Sequence, residues 1–419
     1  MTLSRRTAVM AGQLSRLLGL GAGQNVAGRL ALRWEPDILR ELSRSRQTVL
    51  VSGTNGKTTT TRMLAEAISC DRSVVSNATG SNLQQGLVAA LLQAAPGATA
   101  VLEVDEVVLP RALEACRPSV VVLLNLSRDQ LDRTSEVAGH AARWAAALGG
   151  DSDCTIVANA DDPTIVHAVR QARSDRTGVL WVRAGQPWRD DAPVCPTCGA
   201  AWDSAAEDWA CDRCGARRPT ADWQLRDGRA VAYAMDVPLN LKLPGRANQS
   251  NAVMALAAAA ALGVTPETAL RAIRQLDTVE GRYDRTPVGD RVVRLLLAKN
   301  PAGWIELLRP QATLARGVVL AFNAQDADGR DPSWLYDVPL DLLGHRQVVV
   351  IGERATDMSV RLHYAGVAHK TAVDLRQALT LLPAGDVDVV ANYTAFVKAR
   401  VALARLPGSA RPAGRGSDE

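Results

Sequence analysis

Short runs of β-branched and aliphatic residues alternate with longer segments of helical spacing over the first part of the chain. Residues 47–52, 98–104, 119–124 and 154–158 read as strands, with a shorter one at 74–75. Helical stretches follow residue 52 through about residue 69 and span 83–93. Strands that are apolar on both faces, separated by helix-length segments, predict a parallel α/β sheet. Polar residues gather just after these strands, at the edge where open parallel sheets bind ligands.

The pattern breaks between about 185 and 225, where Pro, Cys, Trp and Asp dominate, and resumes near Ala230. An Ala-rich helix is predicted at 252–262 and another at 265–276. Residues 281–290 read as a linker. A second, smaller α/β unit then begins at Arg291-Val292-Val293, with strands at 318–321, 347–351 and 387–391. From Pro407 the composition of Gly, Pro, Ser and charge predicts a disordered tail. There is no internal repeat.

Composition narrows this picture. With 419 residues, 47% apolar and 22% charged, the chain is ordinary globular material, which excludes wholesale disorder and a fibrous repeat. No run of about 18 apolar residues exists, which argues against a polytopic membrane protein. Aromatics are few, and nine of them are Trp. A net charge of +4 gives no argument for a nucleic-acid partner. Residues 1–48 hold eight Arg against three acids, which fits a solvated helical face better than an anionic membrane surface. Ser4-Arg5-Arg6 is similar to a twin-arginine signal, but Gln13, Ser15 and Arg16 interrupt the apolar region that should follow. The expectation is a mature cytoplasmic protein, with Cys70, Cys116 and Cys154 as buried, unpaired thiols.

Three constellations carry chemistry. Gly53-Thr54-Asn55-Gly56-Lys57-Thr58-Thr59 follows a strand and opens a helix, the context in which backbone amides and a helix N-terminus hold phosphate. Lys57 would reach the β and γ phosphates of a nucleotide, and the Thr58 hydroxyl would ligate Mg²⁺. Val51 stands where the usual phosphate-loop spacing needs Gly, and a chance Gly-Lys-Thr turn is the plain alternative. Glu103, Asp105 and Glu106 close a buried strand, where a Mg²⁺ ion needs a hard oxygen ligand. Glu103 is the favoured ligand and Glu106 the second, against acids that merely cap the next helix. Cys195-x-x-Cys198-Gly and Cys211-x-x-Cys214-Gly supply four thiolates for a closed, structural Zn²⁺. Trp181, Trp188, Trp202, Trp209 and Trp223 lie in or beside this insert, and packing around the knuckles is favoured over an exposed docking surface.

The variant loop resembles that of the Mur ligase superfamily. Further stretches match in order: Asn125-Leu126-Ser127-Arg128-Asp129-Gln130-Leu131-Asp132-Arg133, Asn159-Ala160-Asp161-Asp162-Pro163, Leu243 through Asn251, and Glu280-Gly281-Arg282. Gln130 and Ala247 replace His of that family's pattern. Asp326-Ala327-Asp328-Gly329-Arg330-Asp331-Pro332-Ser333-Trp334-Leu335-Tyr336-Asp337 and Asn392-Tyr393-Thr394-Ala395 resemble the MurT family of ligase subunits, as does the four-Cys insert.

The resemblance implies a basic helical segment at 1–46, a central ATP-binding domain at 47–285 with a zinc ribbon at about 188–222, a C-terminal domain at 286–408 and a tail at 409–419. It implies Asn248, Asn251 and Arg282 as further nucleotide contacts. It implies ATP-dependent amidation of the D-glutamate α-carboxylate in the lipid II stem peptide through an acyl phosphate. Ammonia would come from a GatD-type glutaminase, whose catalytic His would be oriented by Asp337 or, second, Asp331. The cofactors would be ATP, Mg²⁺ and structural Zn²⁺, and the lipid II or muropeptide substrate would be met at the inner membrane face. Two rivals remain. One is a conventional Mur or folylpolyglutamate-type ligase that adds an amino acid. The other is a non-enzymatic docking scaffold with a retained nucleotide fold.

Overall fold

The computed structural model describes residues 24–77, 81–128, 137–150, 153–173, 177–185, 192–202, 208–233, 235–279, 282–308 and 315–406. Ser4-Arg5-Arg6, Gln130, Trp188, Glu280-Gly281 and the tail lie outside them. The chain divides into two compact units, Met1–Ser127 with Ser135–Asp277, and Thr278–Glu419 with Arg128–Thr134.

The first unit is built on nine strands: β1 (Thr48–Ser52), β2 (Val74–Ser76), β3 (Thr99–Val104), β4 (Val120–Leu123), β5 (Thr155–Asn159), β6 (Val179–Arg183), β7 (Trp223–Arg226), β8 (Arg229–Ala232) and β9 (Met235–Pro238). Their order in the sheet is β2-β3-β1-β4-β5-β6-β7-β8-β9. The pairs from β2 to β7 are parallel, and β7, β8 and β9 turn back antiparallel. Asp227 and Gly228, both at positive φ, make the two-residue turn between β7 and β8.

The central strands are buried along their whole length, so their sequences show no polar alternation. β1 lies between β3 and β4, and Ser52 is level with Val104 on one side and Leu123 on the other. The loops leaving these three strands therefore emerge side by side, at the point where chain direction across the sheet reverses. Helices Lys57–Ser69 and Arg246–Ala261 pack together against this sheet. The second begins six residues before the predicted helix. Its first turn is polar and half-buried, so the alanine run alone gives a late start.

The second unit has six strands: β10 (Tyr283–Val288), β11 (Arg291–Leu297), β12 (Gly317–Ala321), β13 (Gln347–Ile351), β14 (His369–Thr371) and β15 (Val387–Ala391). Their order is β10-β11-β15-β12-β13-β14, with β10 antiparallel to β11 and the rest parallel. The stretch read as a linker is thus largely strand β10, joined to β11 by a tight turn at Gly289-Asp290. The polar run Asp284-Arg285-Thr286 and Pro287 suit an edge strand, which needs neither two buried faces nor every amide.

In this unit the carboxylate of Asp388, 1% exposed, sits between Arg294 at 2.6 Å and Arg346 at 2.5 Å and also accepts from the Ala315 amide. Burial is the main influence on Arg346 and pushes its guanidinium below the usual arginine range, with the facing Asp388 opposing it. Trp304, Phe322 and Trp334 of this unit form an aromatic cluster, with ring centroids 5.5–6.5 Å apart.

Cys116 and Cys154 are buried as expected. Cys70 is not. It stands at the C-terminal end of the Lys57–Ser69 helix, and its thiol faces solvent. Among the described residues no helix is long and apolar enough to cross a membrane.

Candidate functional site: a phosphate loop, an acidic strand end and a four-cysteine ribbon

Residues 53–56 connect β1 to the Lys57–Ser69 helix, and two glycines make the turn. Gly53 has φ +144, and a Cβ there would lie 2.9 Å from the Asn125 nitrogen. Gly56 has φ +85, and a Cβ there would overlap the Asn251 side chain. The segment after β4 clamps the loop from the other side. Asn55 donates its amide to Asn125 Oδ1 at 2.8 Å, and Asn125 Nδ2 returns a bond to the Asn55 carbonyl at 3.0 Å. Thr54 donates its amide to the Asn125 carbonyl, and its hydroxyl both donates to the Ser127 carbonyl and accepts from the Ser127 amide. Preorganised amides at a helix N-terminus are what binding of phosphate requires.

Lys57 is buried, and its ammonium donates to the Gly53 carbonyl at 2.5 Å, the Thr54 carbonyl at 3.1 Å and Glu106 Oε2 at 3.0 Å. The charge is therefore held over the loop. Thr58 and Thr59 follow it, buried in the first turn of the helix.

Glu103 and Glu106 take different environments. Glu103 is fully buried on β3, next to Val51. Its backbone is fixed by Asn77, which accepts from the Glu103 amide and donates to its carbonyl, both at 2.8 Å. Asn82 donates to Oε1 at 3.3 Å, while Oε2 is buried with no hydrogen-bond partner. A buried carboxylate oxygen left unsatisfied is costly unless a cation meets it. An all-oxygen set of Glu103, Glu106 and Thr58 suits Mg²⁺. Asp105, between them, has its carboxyl raised by burial first and then by neighbouring Glu106. Its side chain caps the following turn by accepting from the Val107 amide at 3.0 Å.

Asn248 and Asn251 both lie on the Arg246–Ala261 helix. Asn251 reaches the phosphate loop at Gly56, whereas Asn248 donates back to the Pro244 carbonyl one turn earlier at 2.6 Å. Arg282 belongs to the second unit, just before β10.

The four cysteines converge. Their sulfurs all lie within 4.8 Å of one another, with Cys195 to Cys214 at 3.7 Å and Cys198 to Cys211 at 3.6 Å. Tetrahedral Zn²⁺ with bonds of about 2.3 Å separates its sulfurs by about 3.8 Å, so the donor set and its spacing fit a closed zinc site. Each knuckle is a small hairpin. The Gly199 and Gly215 amides return to the Cys195 and Cys211 carbonyls, and both glycines hold positive φ. Trp181, Trp209 and Trp223 are buried, and Trp202 packs edge-on against Trp209 at 5.3 Å. Trp209 is continuous with the hydrophobic core of the first unit. Among the described residues this tryptophan excess is packing, not an exposed surface.

In the second unit, Asp331 is exposed and caps its own loop, accepting from the Ser333 amide and hydroxyl at 2.8 and 2.9 Å. Asp337 ends the short Ser333–Asp337 turn of helix, with a side chain 37% exposed and paired with Arg128 at 3.1 Å. Arg361 stacks on Tyr336 at 4.8 Å and holds the carbonyls of Leu335, Tyr336 and Val338. The carboxylate buried in this motif is Asp328. It accepts from the Thr394 amide at 2.9 Å and the Gln325 amide at 3.2 Å, and the Thr394 hydroxyl also bonds to it. It thereby ties the loop to the N-terminus of the Tyr393–Leu403 helix.

Sequence reading did not single out Asp328, Asn77, Asn82 or Asn125 as site residues. Asn77 and Asn125 lie just after strands β2 and β4, which was the available signal, whereas Asn82 and Asp328 lie further along their loops. It also passed over His140, which is buried on the Val137–Leu148 helix with Nδ1 3.1 Å from Arg143. Burial first, and Arg143 second, push its imidazole below the ordinary histidine range. One turn later on that helix, Trp144 donates to the Glu106 carbonyl at 3.0 Å.

Two stretches of the chain match known family models. Residues 51–184 match the model of the Mur ligase middle domain, and residues 297–396 match that of the MurT ligase C-terminal domain. The chain is 28% identical to the lipid II isoglutaminyl synthase (glutamine-hydrolyzing) subunit MurT of Streptococcus pneumoniae strain R6, over 96% of this chain and 98% of that protein. It is likewise 28% identical to the subunit of the same name from Staphylococcus aureus strain COL, over 93% and 94%. Among solved structures, a pseudomurein peptide ligase type C from Methanothermus fervidus superposes with a TM-score of 0.67 at 18% identity, covering 88% of this chain and 80% of that one. The chain is therefore a ligase of the Mur ligase family, in the branch that carries a MurT-type C-terminal domain.

Proposed function

We propose that this chain is the ligase subunit that converts the D-glutamate of the lipid II stem peptide to D-isoglutamine, in peptidoglycan synthesis. The observation that carries the reading is a clamped phosphate loop, with a buried acidic ligand set, in a chain whose residues 297–396 match the MurT ligase C-terminal domain. The loop amides and Lys57 hold the polyphosphate of ATP. Mg²⁺, when bound by Thr58 and Glu103, with Glu106 second, neutralises charge on the transferred phosphoryl group. Asn251 orders the loop from the nucleotide side, while Asn248 and Arg282 are further nucleotide contacts.

One oxygen of the substrate α-carboxylate attacks the γ-phosphorus, ADP departs, and an acyl phosphate forms. Ammonia then attacks the acyl carbon, phosphate leaves with the C–O bond electrons, and the nitrogen loses a proton. Positioning and charge neutralisation carry most of this chemistry. No cysteine of the chain is placed as a glutaminase nucleophile: Cys195, Cys198, Cys211 and Cys214 form the metal cluster, Cys116 and Cys154 are buried, and Cys70 bonds only to its own helix. Ammonia therefore comes from a separate GatD-type glutaminase. Asp337, exposed and near the end of its motif, orients that partner's catalytic His, with Asp331 second. The pair works at the inner face of the membrane, where its lipid-linked substrate lies.

The test is ATP turnover with a muropeptide acceptor and ammonium, with and without a glutaminase partner and glutamine. Amidation of the acceptor with stoichiometric ADP is expected in the ammonium assay. Ligation of an amino acid in place of ammonia would establish the conventional ligase instead.

A further inference from the structure

The zinc ribbon and the phosphate loop belong to the same unit, and a short chain of buried bonds runs from one to the other. Arg218 stands just after the second knuckle. Its amide donates to the Trp209 carbonyl at 3.0 Å, next to the bridge between Ala210 and Arg217. Its guanidinium donates to Asp161 Oδ1 at 3.0 Å, with the two side chains only 9% and 2% exposed, and also pairs with Asp208. Asp161 Oδ2 accepts from the Gly185 amide at 2.6 Å, where the chain leaves β6 toward the ribbon. The next residue, Asp162, accepts from the Leu126 amide at 2.8 Å and caps the Pro163–Ala172 helix. Asn159, two residues before Asp161, donates to the Leu124 carbonyl at 2.8 Å. Between those two anchored residues lies Asn125, which makes the reciprocal pair with Asn55 of the loop.

The other end of the insert meets the same cradle. The Ala184 carbonyl accepts from Ser250 on the helix that carries Asn248 and Asn251. A Cβ on Gly185 would lie 2.7 Å from the Arg246 guanidinium that opens this helix. Both ends of the ribbon thus lean on elements that fix the loop.

We propose that Arg218 is a positioning residue through which the metal-held ribbon sets the phosphate loop, so that zinc occupancy governs affinity for the nucleotide. The inference rests on the reading of residues 53–59 as the ATP site. Structurally, the knuckle fixes Arg218, Arg218 fixes the Asp161-Asp162 turn, and the turn fixes the 124–127 segment that orders the Asn55 amide. Loss of zinc unfolds the knuckle that positions Arg218 and weakens its bond to the buried Asp161 carboxylate. The loop then samples conformations that do not bind phosphate, and apparent affinity falls by the fraction that remains competent.

The experiment uses the full chain loaded with zinc, with Arg218→Gln, Arg218→Lys and, as a control, Arg213→Gln at an exposed position of the same knuckle. Zinc content is read by release to a colorimetric chelator, MgATP affinity by calorimetry, and amide exchange of residues 53–58 by mass spectrometry. For Arg218→Gln the expected result is a weakening of MgATP affinity by about 5–50-fold, typical of one coupling contact. The same variant should show faster exchange in the loop and a raised KM for ATP with kcat little changed. Arg213→Gln should behave as wild type. Chelation of zinc from the wild-type chain should reproduce the loss of affinity. If Arg218→Gln fails to hold zinc, Arg218→Lys, which retains the charge, decides by the same readouts. Unchanged affinity and exchange in a zinc-loaded Arg218 variant would overturn the inference. Failure of the wild-type chain to bind MgATP would instead overturn the ATP reading on which it rests.

Discussion

Glu103→Gln is expected to stabilise the protein without Mg²⁺ and to remove its thermal response to MgATP. In the structure Oε2 of Glu103 is fully buried with no partner, while Oε1 has one weak bond from Asn82. An unsatisfied buried polar atom costs about 1–3 kcal/mol, and more when charged. A glutamine keeps the Asn82 bond but leaves its own amide nitrogen unpartnered, so the substitution recovers only the added cost of the charge, about 1–3 kcal/mol. For a unit of this size each kcal/mol moves the melting point by about 2–4 °C, which gives a rise of about 2–12 °C. In wild type, MgATP at a hundred times its Kd adds about 2.7 kcal/mol, or about 5–11 °C. A hundredfold loss of affinity in the variant leaves about 0.4 kcal/mol, a shift near the limit of measurement. Differential scanning calorimetry of both proteins, with and without MgATP, separates the two effects. A variant that melts at or below wild type without metal and keeps the full MgATP shift would refute the argument that Glu103 is held for a cation.

Complete removal of zinc should unfold the ribbon and expose Trp202 and Trp209, read as a red shift of tryptophan emission and faster proteolysis between residues 192 and 218; unchanged emission after verified metal loss contradicts a structural role. Asp337→Asn should leave MgATP binding and ammonium-dependent amidation intact while lowering the glutamine-dependent rate by about 10³–10⁴-fold, as for other third members of triads; full glutamine-dependent activity would end that assignment. Asp388→Asn should destabilise the second unit by about 3–5 kcal/mol, since the two buried guanidiniums of Arg294 and Arg346 would lose the charge of the carboxylate between them. Urea unfolding followed by a probe in that unit measures this, and a loss below 1 kcal/mol would show that the arginines find other partners.

Some parts of the site were legible because their chemistry is local. Gly53 to Thr59 carry the turn, the donors and the charge within seven residues, and the strand before them is marked by Val49-Leu50-Val51. The ribbon was equally plain, because two short Cys-x-x-Cys turns place four sulfurs with little help from elsewhere. The residues that support these groups were not legible. Asn125 lies seventy positions from Asn55, and Asn77 lies twenty-six positions from Glu103. Nothing in a single sequence ties a polar residue at one strand end to a particular backbone amide at another. In the MurT-like motif, Asp328, Asp331 and Asp337 look alike as letters. Burial alone divides them into a network carboxylate, a loop cap and an exposed ion-pair partner.

The linker reading failed for a related reason. Tyr283 to Val288 carries the polar run Asp284-Arg285-Thr286 and a proline, which suits an edge strand as well as a loop. Only pairing with β11 distinguishes the two.

By itself the amino-acid sequence determined the class of fold and the four-cysteine cluster, because periodicity and short-range spacing encode those directly, while the family was legible through its resemblance to known motifs. The tertiary structure decided which carboxylates are buried, which asparagines clamp the loop, and that the ribbon leans on the nucleotide cradle. Those facts depend on burial and on hydrogen bonds between residues far apart in the chain, and both arise only when strands β1, β3, β4 and β5 come to lie in one sheet.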